Sequence, residues 1–232
     1  MKTIGMIGGT GWISTLEYYR QLNQEVNRRL GGLEAARCIL YSFNFGDIAR
    51  LKKNDPEQKQ IRPQILEAAR RVAGAGADCL MICANTMHMF AEEIEQSVPL
   101  PLIHIAAATA RGMAHHRIGK AGLLGTRPTM EMDFYKRKLA GEGIETLIPD
   151  ARDREFVDTA IMTQLVRGEF RPEVRQRFIA IMEQLRGRGA QGIVLGCTEI
   201  PLLVKPDDVD IPLFDTLAIH CNAAVDFALS TP

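Results

Sequence analysis

The strongest candidate for chemistry is Cys197, which stands in Gly196-Cys197-Thr198-Glu199 where the apolar run 192–195 meets a helix start. A thiol at such a junction gains from the helix dipole, so its pKa is expected below the free value of about 8.5. A buried structural cysteine is the plainer reading. The glycine before Cys197 and the Thr-Glu pair after it make a polar setting open to close approach, which favours function. Glu199 is placed to orient the thiol or to hold a substrate ammonium group. Three other segments, Gly8-Gly9-Thr10, Ala84-Asn85-Thr86 and Gly125-Thr126, also follow apolar runs and lead into helices. Free N–H groups at helix starts favour an anion such as a carboxylate.

Other patterns exclude chemistries. Gly8-Gly9-Thr10-Gly11 contains neither G-x-G-x-x-G nor G-K-[ST], so it reads as a tight strand-to-helix turn, with Thr10 able to donate to a small carboxylate. Cys79 and Cys83 look like a metal pair, but on a strand they lie ~13 Å apart, too far to share one ion. No metal site is indicated, and no Ser-His-Asp spacing stands out. His88 and His104 read as satisfied buried groups rather than bases. Arg50, Lys52 and Lys53 read as a solvated stretch.

The elements that must position these residues are short apolar strands alternating with longer amphipathic helices. Strands are predicted at 3–7, 37–45, 78–82, 100–105, 120–124, 145–148, 192–195 and 211–214. Most are continuous apolar runs, as expected for strands buried on both faces of a parallel sheet. Helices are predicted at 14–30, 56–75, 88–96, 107–115, 130–140, 154–167, 172–186 and 217–230, the first opened by a Ser14–Glu17 capping box and closed by Gly31-Gly32. The alternation means an α/β protein.

The chain also repeats itself. The segment 74–86 overlays 187–199 without a gap, Ile4-Gly5-Met6-Ile7-Gly8-Gly9 overlays Ala121-Gly122-Leu123-Leu124-Gly125-Thr126, and Pro101-Leu102 overlays Pro212-Leu213. Constant order and nearly constant offset predict two pseudo-symmetric parallel-sheet α/β halves. The first is expected at 1–100 plus 211–232 and the second at 101–210. Ligands of such sheets bind beyond the carboxyl ends of the strands, so the four segments are expected to share an active site between the halves.

With 232 residues, 46% of them apolar and 24% charged, the chain can bury a core without disulfides or structural metal. Lys plus Arg and Asp plus Glu both number 28, which removes the electrostatic case for nucleic acid or an anionic membrane. No apolar run approaches the ~20 residues of a membrane helix, and the opening residues do not form a signal peptide. Five cysteines without framework spacing read as reduced thiols of a cytoplasmic protein. Small halves leave apolar surface, which makes a homodimer plausible.

With these residues in place, the chain resembles the aspartate/glutamate racemase family over nearly its whole length. The resemblance rests on Ile4-Gly5-Met6-Ile7-Gly8-Gly9-Thr10, Ser14-Thr15, Cys83-Ala84-Asn85-Thr86-Met87-His88, Leu124-Gly125-Thr126 and Gly196-Cys197-Thr198-Glu199-Ile200. It implies a cofactor-independent amino acid racemase with an active site between two halves, acting on a small, dicarboxylic amino acid. One cysteine thiolate removes the Cα proton and a second thiol delivers one to the other face. The resemblance points to Asn85, Thr86, Thr126 and Thr198 as binders of the substrate carboxylate.

One position departs from the pattern. The family's first cysteine stands immediately before Asn-Thr, and here that residue is Ala84. The repeat agrees, since Cys197 overlays Ala84 and Cys83 overlays Gly196. Neighbouring strand residues point to opposite faces, so Cys83 reads as packing unless a local bulge re-aims it. Three readings follow. Cys197 could work with a water, a hydroxyl or a re-aimed Cys83; it could protonate one face alone, as in decarboxylating relatives; or the protein could bind amino acids with little turnover.

Overall fold

The computed structural model describes residues 1–54 and 59–231, with 52–54 as backbone alone. Strands β1 (Ile4–Gly8), β2 (Cys38–Ser42) and β3 (Cys79–Ile82) form one sheet in the order β2-β1-β3. Strands β4 (Lys120–Gly125), β5 (Glu145–Leu147), β6 (Gly192–Gly196) and β7 (Leu213–Asp215) form another in the order β5-β4-β6-β7. All pairings within them are parallel. Every residue of β1, β3 and β6 is buried, which is why these strands read as unbroken apolar runs.

The chain forms two compact units, Met1–Ile105 with His220–Pro232, and Ala106–Ile219. In the first, helix Ile61–Gly74 buries Ile61, Ile65, Ala68 and Val72, one apolar stripe at helical spacing. It packs with Ile7, Leu80, Ile82, Met87 and Ile94 in one core. Helix Trp12–Leu30 buries Thr15, Tyr18, Leu22 and Val26 and stops at Gly31, whose φ is 77°. In the second unit, helix Pro172–Gly187 buries Val174, Phe178, Ile181 and Leu185 against a core containing Leu124, Val157, Ile193 and Leu195. Asp150 caps helix Ala151–Thr163 by accepting from Asp153 N–H at 2.9 Å.

The two sheets repeat each other in register. Leu80 N–H bonds the Pro101 carbonyl at 2.9 Å and Leu80 pairs with Leu102 as a single parallel bridge. At the matching place, Ile193 N–H bonds the Pro212 carbonyl at 2.8 Å and Ile193 pairs with Leu213. Each unit therefore closes its own sheet. This moves the expected boundaries: residues 101–105 stay with the first unit, and 211–219 stay with the second because β7 bonds β6.

Three local expectations change as well. Gly11 holds the N-cap of the first helix, Ser14 is buried inside it, and no Ser14 capping box forms. Helix Phe45–Asn54 replaces the expected strand end and loop. On it the exposed Arg50 pairs with Asp47, while the side chains of Lys52 and Lys53 lie outside the described residues. Helix Ile61–Gly74 is shorter than the predicted 56–75, of which 56–58 lie outside the described residues.

Candidate active site

In the second unit, β4 and β6 are neighbours, so Thr126 and Cys197-Thr198-Glu199 gather beyond one end of the sheet. Glycine is required where β6 ends, because a Cβ on Gly196 would lie 2.7 Å from the Leu124 carbonyl oxygen. The chain then turns at once: the Cys197 carbonyl accepts from Ile200 N–H at 3.1 Å, and helix Ile200–Leu203 follows. Cys197, Thr198 and Glu199 are all buried. The Cys197 thiol donates to Glu199 Oε2 at 2.8 Å, and the Thr198 hydroxyl donates to the same oxygen at 2.9 Å.

These contacts reverse the expected direction of the Cys197 pKa. Burial, then the negative charge of Glu199 and the bond to it, hold the thiol well above its ordinary value. Backbone N–H groups of Glu199 and Thr198 pull the other way and are outweighed. The helix beyond has only four residues and little dipole to offer. Cys197 is thus a thiol at neutral pH with a proton acceptor in contact. It can donate a proton to a carbanion, or hand it to Glu199 and act as a base. The Thr198 hydroxyl proton is committed to Glu199 in this arrangement. Thr126 sits at the N-cap of helix Arg127–Glu131, with Oγ1 3.2 Å from Thr129 Oγ1.

In the first unit, β1 and β3 are neighbours, so Thr10 and the 84–86 segment gather at the equivalent end. The Gly8-Gly9-Thr10-Gly11 segment is the tight turn its sequence suggests. Gly9 has φ +80°, and its N–H donates to Thr15 Oγ1 at 2.9 Å. A Cβ on Gly9 would lie 2.2 Å from the Phe43 backbone. Thr10 Oγ1 is buried without a hydrogen-bond partner, so it is available to a ligand. Thr15 holds this turn, a role its place inside a helix does not advertise.

The 83–84 junction is not a straight strand. Ile7 pairs with Ile82, and Cys83 N–H bonds the Ile7 carbonyl at 2.9 Å. Then Ala84 N–H donates back to the Ile82 carbonyl at 2.8 Å, closing a three-residue turn centred on Cys83. The next turn bond runs from His88 N–H to the Asn85 carbonyl, where the second unit has Ile200 N–H to Cys197. The first unit therefore carries one extra residue between strand and turn. Leu80, Ile82 and Ala84 lie in or against one apolar cluster that leaves out Met81 and Cys83, so opposite-face alternation runs on through Ala84. Ala84 packs against the apolar cluster, whereas Cys83 is buried outside it. Burial pushes the Cys83 thiol upward. Asn85 and Thr86 are buried at the start of the 3₁₀ segment Thr86–Phe90.

Parallel α/β sheets doubled along the chain, with a buried thiol–carboxylate pair at a strand end, define an α/β protein equipped for acid–base proton transfer. The Asp/Glu/Hydantoin racemase family model matches residues 7–224, and the chain belongs to this family. It is 25% identical to the broad specificity amino-acid racemase RacX of Bacillus subtilis (strain 168), over 98% of each chain. A crystal structure from Yersinia pestis, provisionally assigned as an Asp/Glu racemase, is 44% identical, with TM-score 0.91 over 99% of this chain and 100% of that one. An aspartate racemase homologue from Pyrococcus horikoshii OT3 is 31% identical, with TM-score 0.83 over 99% and 100%. The protein is accordingly an isomerase of the racemase kind. Among the described residues, no helix is long and apolar enough to cross a membrane.

Proposed function

We propose that this protein racemises a small, dicarboxylic amino acid without a cofactor, by 1,1-proton transfer at Cα, with Cys197 serving one face and a water or hydroxyl at the Ala84 position serving the other. The observation that carries this reading is the buried thiol–carboxylate contact of Cys197 with Glu199. In one direction Glu199 takes the Cys197 proton, the thiolate takes the Cα proton, and a water or hydroxyl at the Ala84 position protonates the other face of the carbanion. The reverse direction runs the same transfers backward, so each turnover moves one proton off carbon and one on. Thr10, Asn85, Thr86 and Thr126 bind the substrate carboxylate, with the free Thr10 hydroxyl as the best-supported donor. The relatives support amino acids of the aspartate and glutamate kind. All five cysteines are free thiols, which suits the reducing cytoplasm. The reading includes a homodimer.

The methyl group of Ala84, which has no exchangeable proton, favours a second reading, in which Cys197 works alone and Ala84 marks the place of a lost partner. Solvent deuterium incorporation at Cα, measured on each enantiomer of Asp and Glu, separates the two. We expect exchange with inversion in the native chain and in Cys83→Ser, and no inversion in Cys197→Ser. Exchange without inversion in the native chain, with a large gain of racemisation in Ala84→Cys, supports the second reading instead.

A further inference from the structure

The turn that carries Thr10 is clamped from inside the helix that follows it. Thr15 is buried, and its hydroxyl makes two bonds: Oγ1 accepts from Gly9 N–H at 2.9 Å and donates to the Gly11 carbonyl at 3.2 Å. One hydroxyl does both at once, because it has a single proton and two lone pairs. A threonine inside a helix commonly donates back to the carbonyl four residues earlier, and that bond alone serves only the helix. Here the same oxygen also takes a donor from outside the helix, so the two bonds straddle Thr10. Gly9 is buried, and without Thr15 its N–H loses the acceptor it has here. The side chain has little room to turn its hydroxyl away, since a Cβ on Gly8 would lie 2.5 Å from Thr15 Cγ2. From the other side, Phe43 N–H bonds the Gly8 carbonyl at 3.0 Å. Residues 8, 9 and 11 are therefore each tied down, and Thr10 stands between the ties.

The geometry points to Thr15 as a positioning residue: by joining Gly9 N–H to the Gly11 carbonyl it fixes the backbone on both sides of Thr10, and with it the place of the Thr10 hydroxyl that binds substrate. The Thr15 hydroxyl is committed to these two bonds and takes no part in proton transfer. This inference rests on the reading above in which Thr10 donates to the substrate carboxylate. A competing role is purely structural, as support for helix Trp12–Leu30.

The two roles separate by kinetics. Thr15→Val keeps the side-chain shape and loses both bonds, whereas Thr15→Ser keeps the hydroxyl. We expect Thr15→Val to raise KM ~10-fold, the scale of one hydrogen bond. Its kcat should change little, because a carboxylate contact is made alike before and during the reaction. Thr15→Ser should stay near the native KM. In a Thr10→Val background, Thr15→Val should add no further rise, since both changes act through one contact. Support of the helix alone would lower stability and leave this KM pattern unmoved. Hydrogen exchange at Gly9 N–H, followed by NMR, gives a readout that needs no turnover: it should be ~10-fold faster in Thr15→Val and native-like in Thr15→Ser. Should Thr15→Val not fold, Thr15→Ala removes the same two bonds without crowding the turn and should raise KM in the same way. A native KM in the folded variant, a loss of kcat in place of KM, equal effects of Ser and Val, or full additivity with Thr10→Val overturns the inference. Absence of Cα exchange in the native chain with any amino acid defeats the racemase reading instead. Dissociation constants for each enantiomer of Asp and Glu, measured by calorimetry, then take the place of KM, and unchanged Gly9 exchange in Thr15→Val still overturns the clamp.

Discussion

Cys197 and Glu199 divide one proton between sulfur and oxygen, and the sign of that arrangement is testable. Glu199→Gln removes the charge that holds the thiol up, together with its proton acceptor. Two rates should then diverge. The Cys197 pKa falls, so alkylation of Cys197 at mildly alkaline pH speeds up and its pH profile moves to lower pH. Racemisation meanwhile drops by ~10²–10⁴, the usual contribution of an acid/base group. Parallel slowing of both rates would mean that Glu199 only supports the local fold. Cys197, Thr198 and Glu199 were legible in the sequence because a buried strand ends just before them. The direction of the Cys197 shift was not, since it depends first on how fully the thiol is buried and then on the carboxylate two residues on folding back to the sulfur. The bond from Ala84 N–H back to the Ile82 carbonyl was not legible either, because an i to i+2 bond has no residue signature at Cys83-Ala84. The ungapped overlay of the two halves concealed the inserted residue.

Among the elements, the central strands were the most readable part of the chain, because burial on both faces leaves them little but apolar residues. Helix Phe45–Asn54 was hidden behind β2, whose apolar run continues into Phe43 and Phe45. The expected strand at 100–105 contracts to the bridge at Leu102, so only its register survives. The buried histidines of segment Thr86–Phe90 and the last helix give the first unit an acid sensitivity. Burial lowers His88 to about 4, and burial followed by the neighbouring His88 lowers His220 to about 3. An unfolded histidine titrates near 6.5. Above that value neither state takes the protons. As pH falls below it the unfolded chain gains two protons that the fold refuses, until the folded values are reached. Stability is therefore fully present above pH ~6.5 and falls toward acid, by about 3 kcal/mol for His88 and about 5 kcal/mol for His220 over the full window. Urea unfolding from about pH 7 down to about pH 5 should show the decline, above the range where carboxylates titrate. His220→Asn, which has nothing to protonate, should flatten the slope while lowering stability through loss of the Tyr18 contact. An unchanged slope would refute the assignment.

For the whole molecule, duplication supplies two sheets of the same register, and a one-residue difference at the strand ends gives their cysteines unlike settings. Cys197 stands beside a carboxylate, and Cys83 sits inside a turn. The same scale raises the question of self-association. Helix Trp12–Leu30 turns Tyr18, Leu22 and Val26 inward, yet exposes Trp12 at 66%, Leu16 at 60% and Tyr19 at 51%. Their spacing places all three on one face, and such a contiguous apolar patch is the kind of surface proteins bury against a partner. Zero net charge leaves little repulsion between copies. A twofold contact would let the stripe cover itself. We expect the native chain to sediment at twice the mass of one chain, and Trp12→Glu with Leu16→Glu to sediment as a monomer that keeps its helix content. Because Trp12 lies directly beyond the Gly9-Thr10-Gly11 turn, the monomeric variant should also raise KM, through looser placement of the Thr10 hydroxyl. A native chain that remains monomeric at micromolar concentration would leave the stripe without this role. A dimer that persists in the double variant would move the interface elsewhere.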